Sequence, residues 1–165
     1  MQMSKCDKHP YWPETCKEVY EKHWRGQIER LLITPDDHPF ALLGMMACME
    51  LAFLCKSRLP LYPKDRKKQA RPKQILDSFF PPEDFPHSER LAARLFNGLK
   101  HNAYVRRGVA LEDTVGGNEY IEEPIRLCDC GQVVLIAPTA FWKHVKKQIE
   151  AIYAKCACNF DPREK

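Results

Sequence analysis

The run FALLGMMACMELAFLCKS, residues 40–57, restricts the fold more than any other stretch of this chain. As a helix it would be apolar on every side, with Glu50 the only charge between Phe40 and Cys55. A helix that is apolar all round belongs at the centre of a group of helices, because each of its sides has to be covered. The sequence therefore predicts a mainly α protein that is packed around this segment.

The same run is not expected to cross a membrane. A membrane span needs roughly 20 consecutive apolar residues, and the best candidate within this run, ALLGMMACMELAFLC, is shorter and contains Glu50. The first residues, MQMSKCDKHPYW, carry charges and a proline where a secretory signal would need an apolar stretch. We therefore expect a soluble cytoplasmic protein whose eight cysteines are reduced, with no membrane partner.

The chain length fits one domain, which we expect to span residues 1–165 with a core at about 14–157 and a tail at 158–165. The net charge of +4 permits a polyanionic partner without demanding one. The sequence contains neither a phosphate-binding loop nor a dinucleotide fingerprint. We accordingly expect no nucleotide and no other cofactor.

Periodicity and helix-breaking residues predict an up-and-down helical bundle with a small β-hairpin before the C-terminal helix. The predicted helices cover about 14–33, 40–57, 88–105 and a last segment that begins at Pro138. The predicted hairpin pairs Tyr120–Leu127 with Gln132–Ala137 and turns through CDCG, residues 128–131. The aromatic residues beside prolines in QILDSFFPPEDFP are expected to pack on the bundle.

Residues 56–74 form a basic segment with eight Lys or Arg against one acid and three prolines. This composition is typical of an exposed connector. It can contact a phosphate backbone, where each neutralised phosphate adds salt-dependent affinity, or it can be a solvated loop. The residues that we assign to nucleic-acid contact are Lys64, Arg66, Lys67, Lys68 and Arg71, together with Arg106 and Arg107.

Polar residues recur at helical spacing in the third predicted helix. At 100° per residue, Arg90, Arg94, Asn97 and His101 fall within about 60° of one another, with Tyr104 at the border. Gly98 interrupts this helix and indicates that another group approaches the backbone closely. The alternative is that the stripe is the ordinary wet face of an amphipathic helix.

These side chains suit cleavage of RNA without a metal ion. His101 would act as general acid or base near neutral pH, and Arg94 would clamp the phosphate and the charge that develops on it. Asn97 would orient the phosphate or the imidazole. The attacking group would be the RNA 2′-hydroxyl, and a second copy of the chain across a two-fold axis would complete the site.

Three further residues have supporting roles in this hypothesis: Glu50, Arg90 and Tyr104. A buried carboxylate needs a partner, because desolvation of an unpaired charge costs several kcal/mol. Glu50 would find that partner in Arg90, Arg94 or His101. Alternatively, Glu50 lies on a wetter edge of its helix.

The pattern resembles the HEPN superfamily of helical bundles. Arg94 and His101 flank LFNGLK, and NGLKH is similar to the R-N-G-L-x-H form of the family motif. The preceding MACMELAFL and the following IAPTAFWKHV also resemble members, so the resemblance covers about residues 39–157. It implies a homodimeric, metal-independent endoribonuclease of bacterial stress or phage defence.

The chain departs from the family motif at one position. When NGLKH is aligned on that motif, Phe96 stands where the family has arginine. Either Arg94 substitutes from two residues earlier, or the catalytic arginine is absent. In the second case the protein would be a non-catalytic module of the same fold that binds nucleic acid or protein.

The cysteines offer a third reading, a zinc-stabilised interaction domain. Cys128 and Cys130, and Cys156 and Cys158, are each separated by one residue, whereas usual zinc sites have two to four between paired ligands. Cys48 and Cys55 look like core residues, because a free cysteine packs as a small hydrophobe. The expectation is therefore that the site residues hold no metal.

Overall fold

The computed structural model describes residues 14–97, 108–156 and 160–163, with the backbone alone at positions 93, 96 and 97. Within these ranges the chain is mainly α, as predicted. The α-helices are α1 (Cys16–Val19), α2 (Arg25–Leu31), α3 (His38–Ser57), α4 (Pro72–Phe79) and α5 (Pro138–Lys155). Shorter helical turns, 3-10 or π, cover Tyr20–Trp24, Pro35–Asp37, Arg66–Lys68, Ser88–Arg90 and Ala92–Asn97.

Helix α3 is the centre of the structure, which confirms its predicted position. It contacts α2, α4 and α5, and residues along its length such as Leu42, Met45 and Met49 are completely buried. Gly44 lets α2 come close, because a methyl group at this position would lie 3.0 Å from Cγ1 of Ile28. The sequence predicts such a close approach at Gly98, but this residue lies outside the described ranges.

Arg58 ends helix α3 in the left-handed conformation, with φ 53°. The N–H of Leu59 then donates to the carbonyl of Leu54 at 3.0 Å, which is the six-to-one hydrogen bond of a Schellman ending. Glycine usually occupies the left-handed position at such an ending, so an arginine there is not a recognisable end signal. The ending turns the chain into the basic segment.

Length and composition alone would let α3 and the turn before it cross a membrane. Pro35–Ser57 is 23 residues long and contains an 18-residue window with a mean hydropathy of 1.6, so length and composition alone do not distinguish it from a membrane span. In the fold, 56% of this 18-residue window is buried against the rest of the protein. Its hydrophobicity is therefore accounted for by its central position.

The strands form more than the predicted hairpin. The strands β4 (Ile125–Leu127) and β5 (Val134–Ile136) are antiparallel and turn through residues 128–131, as expected. However, β1 (Val109–Leu111) adds a parallel partner to β5, which makes a mixed sheet of order β1-β5-β4. Residues 121–124 are not strand, and Glu119–Tyr120 (β3) pairs with Thr114–Val115 (β2) in a separate ribbon.

The third predicted helix begins at Ser88 as expected, but it is not a regular α-helix. A 3-10 turn over Ser88–Arg90 passes into a π-helix over Ala92–Asn97. A π-helix has i→i+5 hydrogen bonds, so the 100° spacing used for the polar stripe does not apply here. Leu91 and Leu95 are nevertheless completely buried, so this segment still packs an apolar face against the core.

The predictions for the first helix, the last helix, the aromatic segment and the basic segment hold with small changes. The first helix is continuous over 16–31 but includes a π-turn, and the last helix begins at Pro138 as predicted. Phe79 and Phe80 are completely buried, and Phe80 stacks on Phe141 at 4.6 Å between ring centroids. The basic segment has no buried residue, although its last three positions, 72–74, already belong to α4.

Candidate functional site

Arg90 and Arg94 lie four residues apart and reach the same end of the three-stranded sheet. Nη1 of Arg90 donates to the carbonyl of Gly131 at 3.3 Å. The guanidinium of Arg94 lies against Gly108, where an added methyl group would be 2.6 Å from Nη1. Gly108 precedes β1 and accepts a hydrogen bond from the N–H of Val134. Two positive charges are thus held where β1 and β5 begin.

The rest of the predicted site cannot be placed beside these arginines. His101, Tyr104, Arg106 and Arg107 lie outside the described residues, and Asn97 and Phe96 are described by their backbone alone. Arg94 itself is half-buried and Arg90 is exposed. The structure brings together Arg94, Arg90 and the backbone of Gly108, the first described residue after position 97.

Glu50 is half-buried on α3. Its side chain is not sealed in the core, unlike that of Met49 beside it. This degree of exposure is compatible with both readings of Glu50, the paired carboxylate and the wetter edge of the helix.

A groove of about 590 Å³ lies between the basic segment and the first turns of α4. Four cations line it against one acid, Asp77, and two glutamines add amide groups. The lining side chains are Leu59, Lys67, Lys68, Gln69, Arg71, Lys73, Gln74 and Asp77. We call this feature the basic groove. Three of the predicted nucleic-acid contacts line it, whereas Lys64 and Arg66 are exposed but lie outside its lining.

Three local interactions shape the basic groove. The side chain of Asp65 accepts a hydrogen bond from the N–H of Lys67 at 3.0 Å and so starts the 3-10 turn. Gln74 accepts from the N–H of Arg71 at 2.8 Å and fixes the start of α4. Lys73 pairs with Asp77 at 2.6 Å, and this pairing raises the pKa of the lysine. The basic side chains are therefore carried on ordered backbone.

The basic groove and the two arginines are on neighbouring elements. Helix α4 contacts both the Ser88–Arg90 turn and the Ala92–Asn97 π-helix. Lys73 interacts electrostatically with Glu89, the residue before Arg90. A polyanion in the groove would therefore lie next to the segment that carries Arg90 and Arg94.

The cysteines occupy different environments. Cys48 and Cys55 are buried as predicted, and burial raises the pKa of Cys48 to about 12. The pKa of Cys55 is raised by a hydrogen bond to Cys16 and by burial, and Cys156 is also in its surroundings. Cys128 and Cys130 instead lie in the β4–β5 turn, and Cys158 lies outside the described residues.

These positions do not support the zinc reading. Within residues 14–97, 108–156 and 160–163, no group of three or more His, Cys, Asp or Glu side chains could hold a metal ion. Cys156 interacts electrostatically with Cys55, whereas Cys128 and Cys130 lie in the hairpin turn that Arg90 contacts.

Sequence reasoning missed two polar arrangements. Asp113, in the loop after β1, accepts hydrogen bonds from the N–H and hydroxyl of Thr139 at 2.7 and 2.5 Å and so caps α5. His144 and Gln148 both lie within hydrogen-bond distance of the carbonyl of Phe79, at 2.6 and 2.9 Å. The i, i+4 spacing of His144 and Gln148 was the one signal available, whereas nothing local links Asp113 to Thr139.

Comparison of the chain with protein-family models, with curated proteins and with solved structures finds no match.

Proposed function

We propose that the protein binds RNA along the basic groove and cleaves it without a metal ion at a site formed by Arg94 and His101. The observation that carries the proposal is the placement of Arg90 and Arg94 at one end of the sheet, beside the helix that bears the groove. A guanidinium is a planar, permanently charged donor that suits phosphate oxygens. The guanidinium of Arg94 lies against Gly108.

In the proposed reaction, protein side chains act in one step, the attack of the RNA 2′-hydroxyl on the adjacent phosphate. A base, assigned to His101, removes the proton of the RNA 2′-hydroxyl, whose oxygen attacks the adjacent phosphorus. The bond to the 5′-oxygen breaks, that oxygen takes up a proton, and a 2′,3′-cyclic phosphate remains. Arg94 would stabilise the negative charge that develops on the phosphate oxygens, and Asn97 would orient the reacting groups.

The HEPN resemblance supports this assignment of roles and adds two expectations. It implies a homodimer, so that two copies of the Arg94 segment would face each other. It also implies a cytoplasmic role in bacterial stress or phage defence. Both belong to the proposal.

A second candidate is RNA binding without cleavage. The basic groove favours it, because the groove is made of described residues and would attract phosphates whether or not His101 reacts. In this case Phe96 would mark the loss of the family arginine, and Arg94 would only position the strand.

The two candidates separate in a cleavage assay. A fluorescent single-stranded RNA would be incubated with the full-length protein in EDTA, and the product ends would be analysed. We expect a 2′,3′-cyclic phosphate with the wild type and loss of product by on the order of a hundredfold or more for His101→Ala and Arg94→Ala. His23→Ala and Arg30→Ala are matched controls on the first helical segment and should cleave like wild type.

The controls also decide the interpretation. Circular dichroism and binding of an RNA whose 2′-hydroxyls are replaced by hydrogen would show that each variant folds and still binds. If the wild type binds this RNA but leaves normal RNA intact, the binding candidate replaces the ribonuclease. If neither RNA binds, both candidates are wrong.

A further inference from the structure

The tip of the β4–β5 hairpin holds two cysteines in one tight turn. The N–H of Gly131 donates to the carbonyl of Cys128 at 2.8 Å, and the N–H of Cys128 donates to the carbonyl of Val133 at 2.8 Å. Gly131 has a φ of 74°, which favours glycine at this position. Cys128 and Cys130 are therefore the first and third residues of a hydrogen-bonded β-turn.

The two thiols share one tight turn and differ in exposure. Cys130 is exposed and Cys128 is half-buried. In order of size, hydrogen bonding from the Gln132 N–H, from the Cys128 thiol and from the Val133 N–H lowers the pKa of Cys130. Hydrogen bonds of this kind stabilise a thiolate, which is the nucleophilic form of cysteine.

The other described cysteines lack this combination. Cys16, Cys48 and Cys55 are buried, and Cys156 is half-exposed. A metal ion is a poor occupant for the hairpin tip, because zinc sites need three or four protein ligands and no described third ligand joins this pair. Two adjacent thiols, one exposed and supported by amides, fit the pattern of a reactive cysteine beside a resolving one.

We propose that Cys128 and Cys130 form a peroxide-reactive dithiol, in which Cys130 is oxidised first and Cys128 resolves it to an intramolecular disulfide. This chemistry is independent of any action on RNA. It assigns a modification site to a turn that lies outside the candidate site but is hydrogen-bonded to Arg90 through Gly131.

The steps balance with hydrogen peroxide as the oxidant. The Cys130 thiolate attacks one peroxide oxygen, the O–O bond breaks, and the products are a sulfenic acid and, after protonation of the leaving oxygen, water. The Cys128 thiol then attacks the Cys130 sulfur, an S–S bond forms, and the hydroxyl leaves as a second water. Two thiols are oxidised and one peroxide is reduced.

The test uses full-length protein, hydrogen peroxide and mass spectrometry of the tryptic peptide 127–143, which contains both thiols. With a small excess of peroxide, the wild-type peptide should become two hydrogen atoms lighter. Cys128→Ser should instead stop at a sulfenic acid on residue 130, trapped by dimedone, and Cys130→Ser should form neither product. Under reducing conditions, iodoacetamide should modify Cys130 roughly fivefold or more faster than Cys156.

Several results would overturn the proposal. One is a Cys130 alkylation rate no higher than that of Cys156. Another is a wild-type peptide that stays reduced at a peroxide dose that oxidises free glutathione. A third is a disulfide that joins two copies of the chain, seen on a non-reducing gel. Because both serine variants lie in a surface turn, thermal melting that matches wild type would confirm that they are folded.

Discussion

The guanidinium of Arg94 and the backbone of Gly108 occupy neighbouring positions that leave no room for a side chain at residue 108. A methyl group there would lie 2.6 Å from Nη1 and 3.1 Å from Cζ of the arginine. Gly108 also has a φ of 92°, a conformation that side chains disfavour. Glycine is therefore favoured at this position for two separate reasons, chiefly the backbone conformation and to a smaller extent the contact with Arg94.

Substitution Gly108→Ala should lower the free energy of unfolding by about 1–2 kcal/mol, since the residue would be strained in the left-handed region. The contact adds a smaller cost, because the end of the Arg94 side chain can move aside. If Arg94 acts on RNA, the same movement should reduce cleavage. Urea denaturation measures the first effect, and the EDTA cleavage assay measures the second.

The double variant Arg94→Ala/Gly108→Ala separates the two reasons. Truncation of the arginine removes the steric contact and leaves the cost of the backbone conformation. The alanine at 108 should therefore cost less in the Arg94→Ala background than in the wild type. An equal cost in both backgrounds would mean that the contact carries no energy.

Elements with a strong local pattern could be predicted from the sequence. Helix α3 is defined by its unbroken apolar composition, and α5 by Pro138 and a regular apolar face. The parallel pairing of β1 with β5 could not be found in this way, because it joins Val109 to Val134 across a long stretch of chain. The π-winding of Ala92–Asn97 also has no simple signature, since its apolar residues fit an α-helix equally well.

The candidate site was predictable in composition but not in arrangement. A count of charges identified the basic segment, yet only the fold shows that Lys67, Lys68 and Arg71 share a groove with Lys73. The helical spacing predicted that Arg90 and Arg94 share one face. Their position at one end of the sheet depends on their contacts with Gly131 and Gly108, which lie in turns beside the strands. Such contacts between distant segments depend on tertiary structure, which local periodicity does not encode.

The basic groove gives a prediction for the salt dependence of RNA binding. Each phosphate contact releases counterions, so the slope of log affinity against log salt reflects the number of contacts. The triple variant Lys67→Ala/Lys68→Ala/Arg71→Ala should reduce the magnitude of that slope by about 2 for single-stranded RNA. Fluorescence anisotropy between low and moderate salt measures the slope directly.

A matched variant controls for net charge. Arg30, Lys143 and Lys147 are exposed on other helices, so Arg30→Ala/Lys143→Ala/Lys147→Ala removes the same residue types away from the groove. Its slope should stay close to the wild-type value. If both triple variants reduce the slope equally, RNA is held by overall charge and the groove has no special role.

Asp113 provides a prediction about stability. Its carboxylate caps α5 from a distant loop, with hydrogen bonds to the N–H and hydroxyl of Thr139. Loss of a capping side chain costs about 0.5–2 kcal/mol, so Asp113→Ala should lower the free energy of unfolding by an amount in this range. Asp113→Asn keeps an acceptor and should cost less. Urea denaturation of both variants measures this order, and a larger loss for asparagine would contradict the capping role.

The last prediction concerns pH and the segment 160–163. The Asp161 carboxylate accepts hydrogen bonds from the side chain and N–H of Arg163, whose Nη2 also donates to the carbonyl of Glu14 at 2.7 Å. Burial raises the pKa of Asp161, but the side-chain and backbone hydrogen bonds of Arg163 outweigh it and lower the pKa overall. The carboxylate therefore stabilises the fold above the ordinary pKa of aspartate, and this stabilisation is lost as the pH falls through the lower folded value.

Asp161→Asn should accordingly destabilise the protein at neutral pH by an amount that is constant down to about pH 5 and shrinks below about pH 4. Urea denaturation at a series of pH values compares the variant with the wild type. In an Arg163→Ala background the guanidinium is gone while the backbone N–H of residue 163 can still donate to Asp161, so Asp161→Asn should have a smaller effect and a weaker pH dependence. If the difference between wild type and Asp161→Asn is the same at pH 3 and pH 7, the ion pair does not couple folding to protonation.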